Sequence, residues 1–404
     1  MKKIYLFVLA CLTFVFLTLI YANLGRDSSP THLTHITSIF KSIMGDSSPT
    51  KSTYTIKPQN SRISNSIEDL KSDKMWPFEI GYSEKDKIII YNDSYLLAIK
   101  DKKIYSSLNL EKIDANHIND PIITTFKFSP NGDYVIINNG DSQNASKSIF
   151  NLYFFNIKKN KVNILSKTNK FNIIDCWSNL SKYYAYYEKS GDTIHIYDAA
   201  AEELKKINIG KLKVQKLYIS DKGDLLVNSD KNYIFKKNKD YTREDTKISG
   251  PIINFNNNDI YYCDDENIYK NNSGKVTKLV EMGKKYKLQE ANHRYSVFSD
   301  GDSTVVYDYK KVFHFKFKYV ESFKDGRPFF SPDIKKCLIS KIQYPMVISY
   351  TGQVKEYKDK EELGGVYRYP WIDNNTIVTI RNHENKPLII KLNVKNGNEE
   401  IISF

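Results

Sequence analysis

The stretch FKFSPNGDYVII, residues 126–137, constrains the fold more than any other feature because it recurs. Two β-prone runs flank SPNGD. There Pro130 suits the first corner of a tight turn, and Gly132 suits a position needing positive φ. The same form returns in YISDKGDLLV (218–227) and FFSPDIKKCLIS (329–340). Looser copies are GYSEKDKIIIY (81–91), CWSNLSKYYAYY (176–187), NFNNNDIYYC (254–263) and PWIDNNTIVTI (370–380), and QEANHRYSVF (289–298) is a degenerate one. The apolar anchors before these turns are Tyr82, Phe128, Trp177, Tyr218 or Ile219, Phe255, Phe330 and Ile372. They fall about 35–50 residues apart, the spacing of solenoid and propeller repeats.

A second strand–turn–strand follows each copy, as in SYLLAIKDKKIYSSL, NLYFFNIKKNKVNIL and LIIKLNVKNGNEEII. The unit is therefore four antiparallel strands. Such a sheet, with one apolar face, must pack against copies of itself, and radial repetition makes a β-propeller. Eight units fit between about Phe78 and Phe404; the sixth is the weakest, which leaves seven or eight blades. The expected fold class is all-β: a β-propeller of seven or eight four-stranded blades over 76–404. An N-terminal membrane helix and a short linker with one amphipathic helix precede it. STYTIKP, residues 52–58, is a candidate closing strand for the last blade.

At the N-terminus, two lysines precede an apolar run from Ile4 to Ala22, long enough to cross the ~30 Å core of a bilayer. It exceeds the apolar region of a signal peptide, and Ile20 is a poor residue three before a cleavage point after Ala22. Residues 1–22 are read as a retained anchor. A cleaved signal peptide is the alternative, and lipidation at Cys11 in VLAC is a third reading. Lys2 and Lys3 hold the N-terminus in the cytoplasm, so a single-pass protein would carry its propeller outside it. Cleavage would make it secreted or periplasmic. Residues 23–75 are richer in Ser, Thr and Pro, and the pentapeptide Asp-Ser-Ser-Pro-Thr stands at both 27–31 and 46–50. Between these copies Leu33, Ile36, Phe40, Ile43 and Met44 share one face of a short helix over about 30–44. That helix would lie on the membrane, dock a partner, or pack on the main domain.

The formal charge of +13 suits an anionic envelope polymer or lipid headgroups. Only 7 of the 60 basic residues are Arg, and the lysines are scattered through turns and strands. A nucleic-acid surface would cluster Arg among aromatics, so nucleic acid is not the expected partner. Cys176, Cys263 and Cys337 are far apart with no CxxC, which points to buried free thiols. No cofactor or metal is implied: His32 and His35 do not make a site by themselves. No P-loop, GxGxxG, HExxH or G-x-S-x-G elbow occurs. SDGDSTVVY (299–307) holds the residue types of a sialidase Asp box in the wrong register, and the acids of CDDEN (263–267) read as exposed turn residues.

With FSPNGDYV, ISDKGDLLV and FSPDIKKCLIS each followed by an IY-type strand and a GKV-like turn, the chain resembles the TolB-like and WD-like propeller repeats of bacterial envelope proteins from about Phe78 to Phe404. The α/β domain that precedes the propeller of the Tol system is not expected in residues 23–75, which are too short for one. The resemblance implies the fold and leaves the activity open.

Two features stand out as candidate binding groups. Arg327 in KDGRPFFS and Arg368 in VYRYPWI each stand just before the first strand of adjacent units, with Asp325 close by. Their guanidinium groups would grip a carboxylate or phosphate at a channel rim, or pair with nearby acids. The longest polar insertion, NNGDSQNASKS (138–148), offers Asn139 and Asp141 on a projecting loop. The expected function is a membrane-tethered, extracytoplasmic protein-binding or scaffold module with an envelope or membrane protein as partner. The alternative is a hydrolase or lyase acting on an envelope or extracellular carbohydrate, for which no catalytic residues can be assembled from the sequence.

Overall fold

Runs of Ile, Leu, Tyr and Phe alternate with short Asp, Asn, Lys and Gly turns, and the chain accordingly forms strands and little else. A computed structural model describes residues 79–402, apart from 85–86, 93–94, 111–112, 114–121, 142–149, 169–172, 190, 284, 318–327, 341–344, 358–370 and 384–385. The expected membrane helix, amphipathic helix and closing strand STYTIKP lie outside these residues.

The described residues form eight antiparallel sheets, each made from one continuous stretch of chain with consecutive strands side by side. The first strands are β1 (Glu79–Glu84), β5 (Ile122–Phe128), β9 (Ile173–Trp177), β13 (Lys216–Ile219), β17 (Ile252–Asn256), β21 (Lys287–Ala291) and β25 (Pro328–Phe330). Each opens a four-stranded blade. The eighth blade contains β29 (Thr376–His383), β30 (Lys386–Asn393) and β31 (Glu399–Ile402), and its first strand is reduced to the bridge between Trp371 and Ile377. The molecule is an eight-bladed propeller.

The ring is visible in its cores. Eight apolar clusters each straddle one pair of neighbouring blades. The last blade meets the first through Ile380, Ile389 and Ile402 against Ile80, Ile90 and Leu97. First strands approach one another, β1 to β5, β9 to β13 and β13 to β17, so they surround the axis. Fourth strands such as β12 (Glu203–Asn208) and β20 (Lys275–Glu281) are exposed almost throughout and form the outer wall. No strand is exchanged between the first and last blades among the described residues; the faces of their sheets close the ring.

The repeated serine of each signature turn has a structural task. Ser129, Ser178, Ser220 and Ser331 are all buried. Ser178 Oγ accepts the N–H groups of Lys182 and Tyr183 at 3.0 and 3.1 Å, and Ser220 Oγ accepts that of Asp224 at 3.0 Å. Ser129 does the same for Tyr134 and Ser331 for Lys336, each at 3.0 Å. The hydroxyl thus satisfies backbone donors that the tight turn would leave unpaired. Ser178→Ala or Ser220→Ala should cost about 1–3 kcal/mol, read as a lower denaturation midpoint with an unchanged far-ultraviolet spectrum.

The anchors divide by blade. Phe128, Trp177, Ile219, Phe255 and Phe330 pack toward the preceding blade. Tyr82 and Ile372 pack toward the following one. In β1 an irregularity at Gly81 shifts the register between Ile80 and Tyr82, which turns Tyr82 to the other face. In blade 8 the first strand is too short to hold the pattern, and Trp371 takes the inner position. Of the two residues offered for the fourth repeat, Ile219 is the equivalent anchor.

Candidate functional site

First strands of five consecutive blades, β5, β9, β13, β17 and β21, wall a cavity of about 300 Å³ on the channel side of the ring. It reaches the turns after these strands, where Pro130, Asn179 and His293 line it. Its wall mixes aromatic rings, Phe128, Trp177, Tyr218 and Phe255, with the charged side chains of Lys127, Asp175 and Lys216. Among the described residues, no group of three or more His, Cys, Asp or Glu side chains is placed to hold a metal ion.

Lys127 of blade 2 forms an ion pair with Asp175 of blade 3 and also donates to its backbone carbonyl at 3.0 Å. Tyr184 donates its hydroxyl to the other Asp175 oxygen at 2.5 Å, so that carboxylate is engaged on both sides. Lys216 of blade 4 differs. Its ammonium stands 5.0 Å from the Tyr218 ring centroid and has no hydrogen bond or ion pair among the described residues. Solvent reaches it from the lumen. The surrounding protein nevertheless removes enough water to pull it below the ordinary lysine value, against the opposing pull of Cys176 and Glu290. Burial pushes the Cys176 thiol up to about 12, so it is an inert free thiol.

His293 is neutral near pH 7: loss of solvent, reinforced by Arg294, pulls it down to about 4 despite Glu84. Glu84 belongs to blade 1 and His293 to blade 6, so their fields meet between blades that are not neighbours. The same holds for Arg294 and Tyr82. These four residues mark the mouth at the end where each first strand turns into the second.

Along part of that mouth, from blade 7 through blades 8, 1, 2 and 3 to blade 4, hydrogen bonds join the turns into a belt. Lys87 Nζ donates to the carbonyls of Asn131 and Gly132 and pairs with Asp133 at 2.6 Å, linking blade 1 to blade 2. Burial would raise the Asp133 carboxyl, but Lys158 and Lys87 outweigh it and hold it below its usual value. Asn131 N–H donates to Ser181 Oγ at 3.0 Å, blade 2 to blade 3, and Leu180 N–H to Asp221 at 2.7 Å, blade 3 to blade 4. Asp333 N–H donates to Asn374 at 3.0 Å, blade 7 to blade 8, and Ser83 Oγ to the carbonyl of Trp371 at 3.2 Å, blade 1 to blade 8. Gly132, at φ +63°, lies against the Tyr82 ring, where a Cβ would come within 2.3 Å. On this fixed frame Leu180 is 63% exposed.

Of the residues singled out from sequence, Arg327, Arg368 and Asp325 lie outside the described residues. Asn139 and Asp141 are in strand β6 (Tyr134–Asp141), opposite Thr124 and Ile122. The expected loop therefore starts later than its polar composition suggests, because residues 138–141 continue the pairing of β6 with β5 and Gly140 still faces Phe150. Asn and Gly carry little β-propensity, which hid the strand. Lys127, Asp175, Lys216 and His293 are site residues that the sequence did not single out. Their signal is the charged or polar residue breaking an apolar first strand just ahead of, or within, the repeated turn. The acids of CDDEN prove to be turn formers: Asp264 Oδ1 accepts the N–H groups of Glu266 and Asn267 at 2.8 and 2.7 Å.

No protein-family model matches the chain, and no curated protein matches it. Solved structures with a similar fold include Hsv2 of Kluyveromyces lactis, at 15% identity and a TM-score of 0.41, covering 70% of this chain and 98% of that one. PorZ, a bacterial surface component of the type-IX secretion system of Porphyromonas gingivalis, matches at 11% identity and 0.43, over 81% of this chain and 46% of PorZ. The β-propeller domain of the Trilobed protease from Pyrococcus furiosus matches at 13% and 0.36, over 70% and 98%. The eight-bladed assignment rests on the sheet order and the interface clusters described above.

Proposed function

We propose that this chain is a membrane-tethered propeller that works outside the cytoplasm as a protein-binding scaffold of the cell envelope, docking its partner on the belt of turns around the channel mouth. The observation that carries this reading is the belt itself. Hydrogen bonds from blade to blade hold the turns of blades 7, 8, 1, 2, 3 and 4 in one arrangement and present an exposed leucine, Leu180, among polar neighbours. A rim fixed before binding loses little conformational freedom when a partner arrives. A specific partner needs roughly 800 Å² of surface per side, which a propeller face supplies. The apolar run at 4–22 and the resemblance of the repeats to envelope propellers support the location. The carbohydrate-hydrolase reading gains nothing from the lumen, where Asp175 is held by Lys127 and Tyr184.

The test is crosslinking in intact cells, followed by membrane extraction, purification of the tagged protein and mass spectrometry. A variant with a foreign membrane helix in place of residues 1–22 is treated alongside. The scaffold reading expects the same few envelope proteins from both. Recovery from the native anchor alone would move the binding to the membrane segment, and reproducible recovery of nothing would remove the reading.

A further inference from the structure

Three lysines gather where the signature turns of blades 3 and 4 meet. The blade 3 turn, residues 178–182, is tied to the blade 4 turn, residues 220–224, by the bond from Leu180 N–H to Asp221. Lys182 and Lys222 are exposed in these two turns. Lys237, from the hairpin ahead of β16 (Thr242–Asp245), comes to the same place. Its Cδ lies against Gly223, where a Cβ would come within 2.9 Å, and its ammonium donates to the Tyr183 hydroxyl at 2.8 Å. The carboxylates of the two turns are drawn onto the backbone: Asp221 accepts from Leu180, and Asp224 accepts the N–H of Lys237 at 2.8 Å. Nearby lysines are paired, Lys205 with Asp240, and Lys236 and Lys239 with Glu244. Lys182, Lys222 and Lys237 form no ion pair among the described residues, and the turns of blades 3 and 4 on this rim are described throughout. Leu180 stands exposed among them. We propose that the partner docks here through a short acidic segment, with one apolar side chain over Leu180 and Asp or Glu side chains paired with Lys182, Lys222 and Lys237. The inference rests on the docking reading above and adds the chemistry of the partner.

Charge complementarity selects this class. An exposed rim lysine gains little from one ion pair. Three cations around a single apolar contact, however, steer an acidic segment onto it and repel a basic one. Apolar or basic partner surface laid over Leu180 would leave these ammoniums without a counter-charge as water is displaced. A lipid surface fits less well, because basic sites for anionic headgroups gather about 4–8 Lys or Arg. The chain also reaches Glu79 at the opposite rim, since β1 begins at the end of blade 1 away from its turn into β2. The rim that carries Leu180 is therefore the one away from that entry.

A photo-crosslinking amino acid is placed at Leu180 in the full chain, intact cells are irradiated, and mass spectrometry locates the joined residue in the partner. That residue should lie in a segment with more Asp and Glu than Lys and Arg. Lys182→Glu with Lys222→Glu should lower the adduct yield at least about tenfold, and Lys182→Arg with Lys222→Arg should keep it. Lys211→Glu with Lys213→Glu makes the same charge change in the connection between β12 and β13, at the other end of these blades, and should leave the yield unchanged. Exchanging the acids of the partner segment for lysine should restore adducts to the Lys182→Glu, Lys222→Glu chain. Full retention of adducts in that chain, or an equal loss in the Lys211→Glu, Lys213→Glu control, overturns the proposal and leaves docking at Leu180 standing. So does a joined residue in a neutral or basic segment. Adducts with lipid or polymer alone, or no adducts from Leu180 in the otherwise unaltered chain, remove the docking reading and this inference with it.

Discussion

Replacing Ile90 or Ile389 by alanine should destabilise the propeller by about 2–5 kcal/mol each, and the pair together should open the ring between its last and first blades. Both side chains are fully buried in the cluster that joins blade 8 to blade 1. Many sheet assemblies close by exchanging a strand; among the described residues here, the joint is made by these apolar faces, the hydrogen bond from Ser83 to Trp371 and the exposed ion pair of Lys102 with Glu400. Blades 1 and 8 are also the ends of the repeat array. Once the joint fails, each keeps a single neighbour, whereas an internal blade keeps its chain connections on both sides. Hydrogen exchange should then show the amides of blades 1 and 8 losing protection first, ahead of global unfolding. The matched pair Leu226→Ala and Phe255→Ala, in the cluster between blades 4 and 5, should lower stability without that order of loss. Uniform loss of protection in both variants would mean that the closure is no weaker than any other joint.

Gly250→Ala should cost about 3 kcal/mol, far more than its size suggests. A Cβ at this position would lie 2.1 Å from the carbonyl oxygen of Cys263 and 3.1 Å from its carbon. These are backbone atoms of β18 (Asp259–Cys263), the second strand of blade 5, and they cannot swing aside as a side chain would. The loop entering the blade would have to lift away, and the bond from Cys263 N–H to the Pro251 carbonyl, now 3.0 Å, would stretch or break. The contrast is Gly274, at φ +96° on a hairpin tip with nothing within 4 Å of its absent Cβ. Alanine there meets only backbone strain, about 1 kcal/mol. Denaturation midpoints of the two variants measure the difference; similar losses would contradict the close approach at Gly250.

The repeat makes most of the architecture legible because its turn chemistry is local. A Ser followed by Pro, Asp, Asn or Gly between two β-prone runs needs no distant partner to be read, and the buried hydroxyls of Ser129, Ser178, Ser220 and Ser331 explain why serine stands there. The sixth repeat is faint because small Ala291 stands where the other copies place a large apolar anchor before the turn, and the turn has no serine, Pro or Gly. Asn292 does the work instead, accepting the N–H groups of Arg294 and Tyr295 at 2.8 and 3.0 Å, and the sheet it opens is complete. The hairpin DKK at 101–103 hides its turn in the same way, with Asp101 and Lys102 both at positive φ. The channel is harder to see. Whether an inward lysine is paired depends on the strand of the next blade, some tens of residues away. Lys127 is paired because Asp175, 48 residues further along the chain, stands against it in the next blade. Arginines ahead of the first strands are conspicuous in the sequence, yet the groups that share the described cavity come from the strands themselves and the turns that follow them.

If the belt of turns around the channel mouth is the docking face, a partner must touch Leu180. The most direct test places a photo-crosslinking amino acid at Leu180, on that belt, and in a second strain at Val276, on the outer strand of blade 5, where the side chain is comparably exposed at 52%. Irradiation of intact cells should give discrete adducts with one or a few envelope proteins from Leu180 and none from Val276. Adducts from Val276 with none from Leu180 would contradict docking on the belt and move recognition to the outer edge of the sheets.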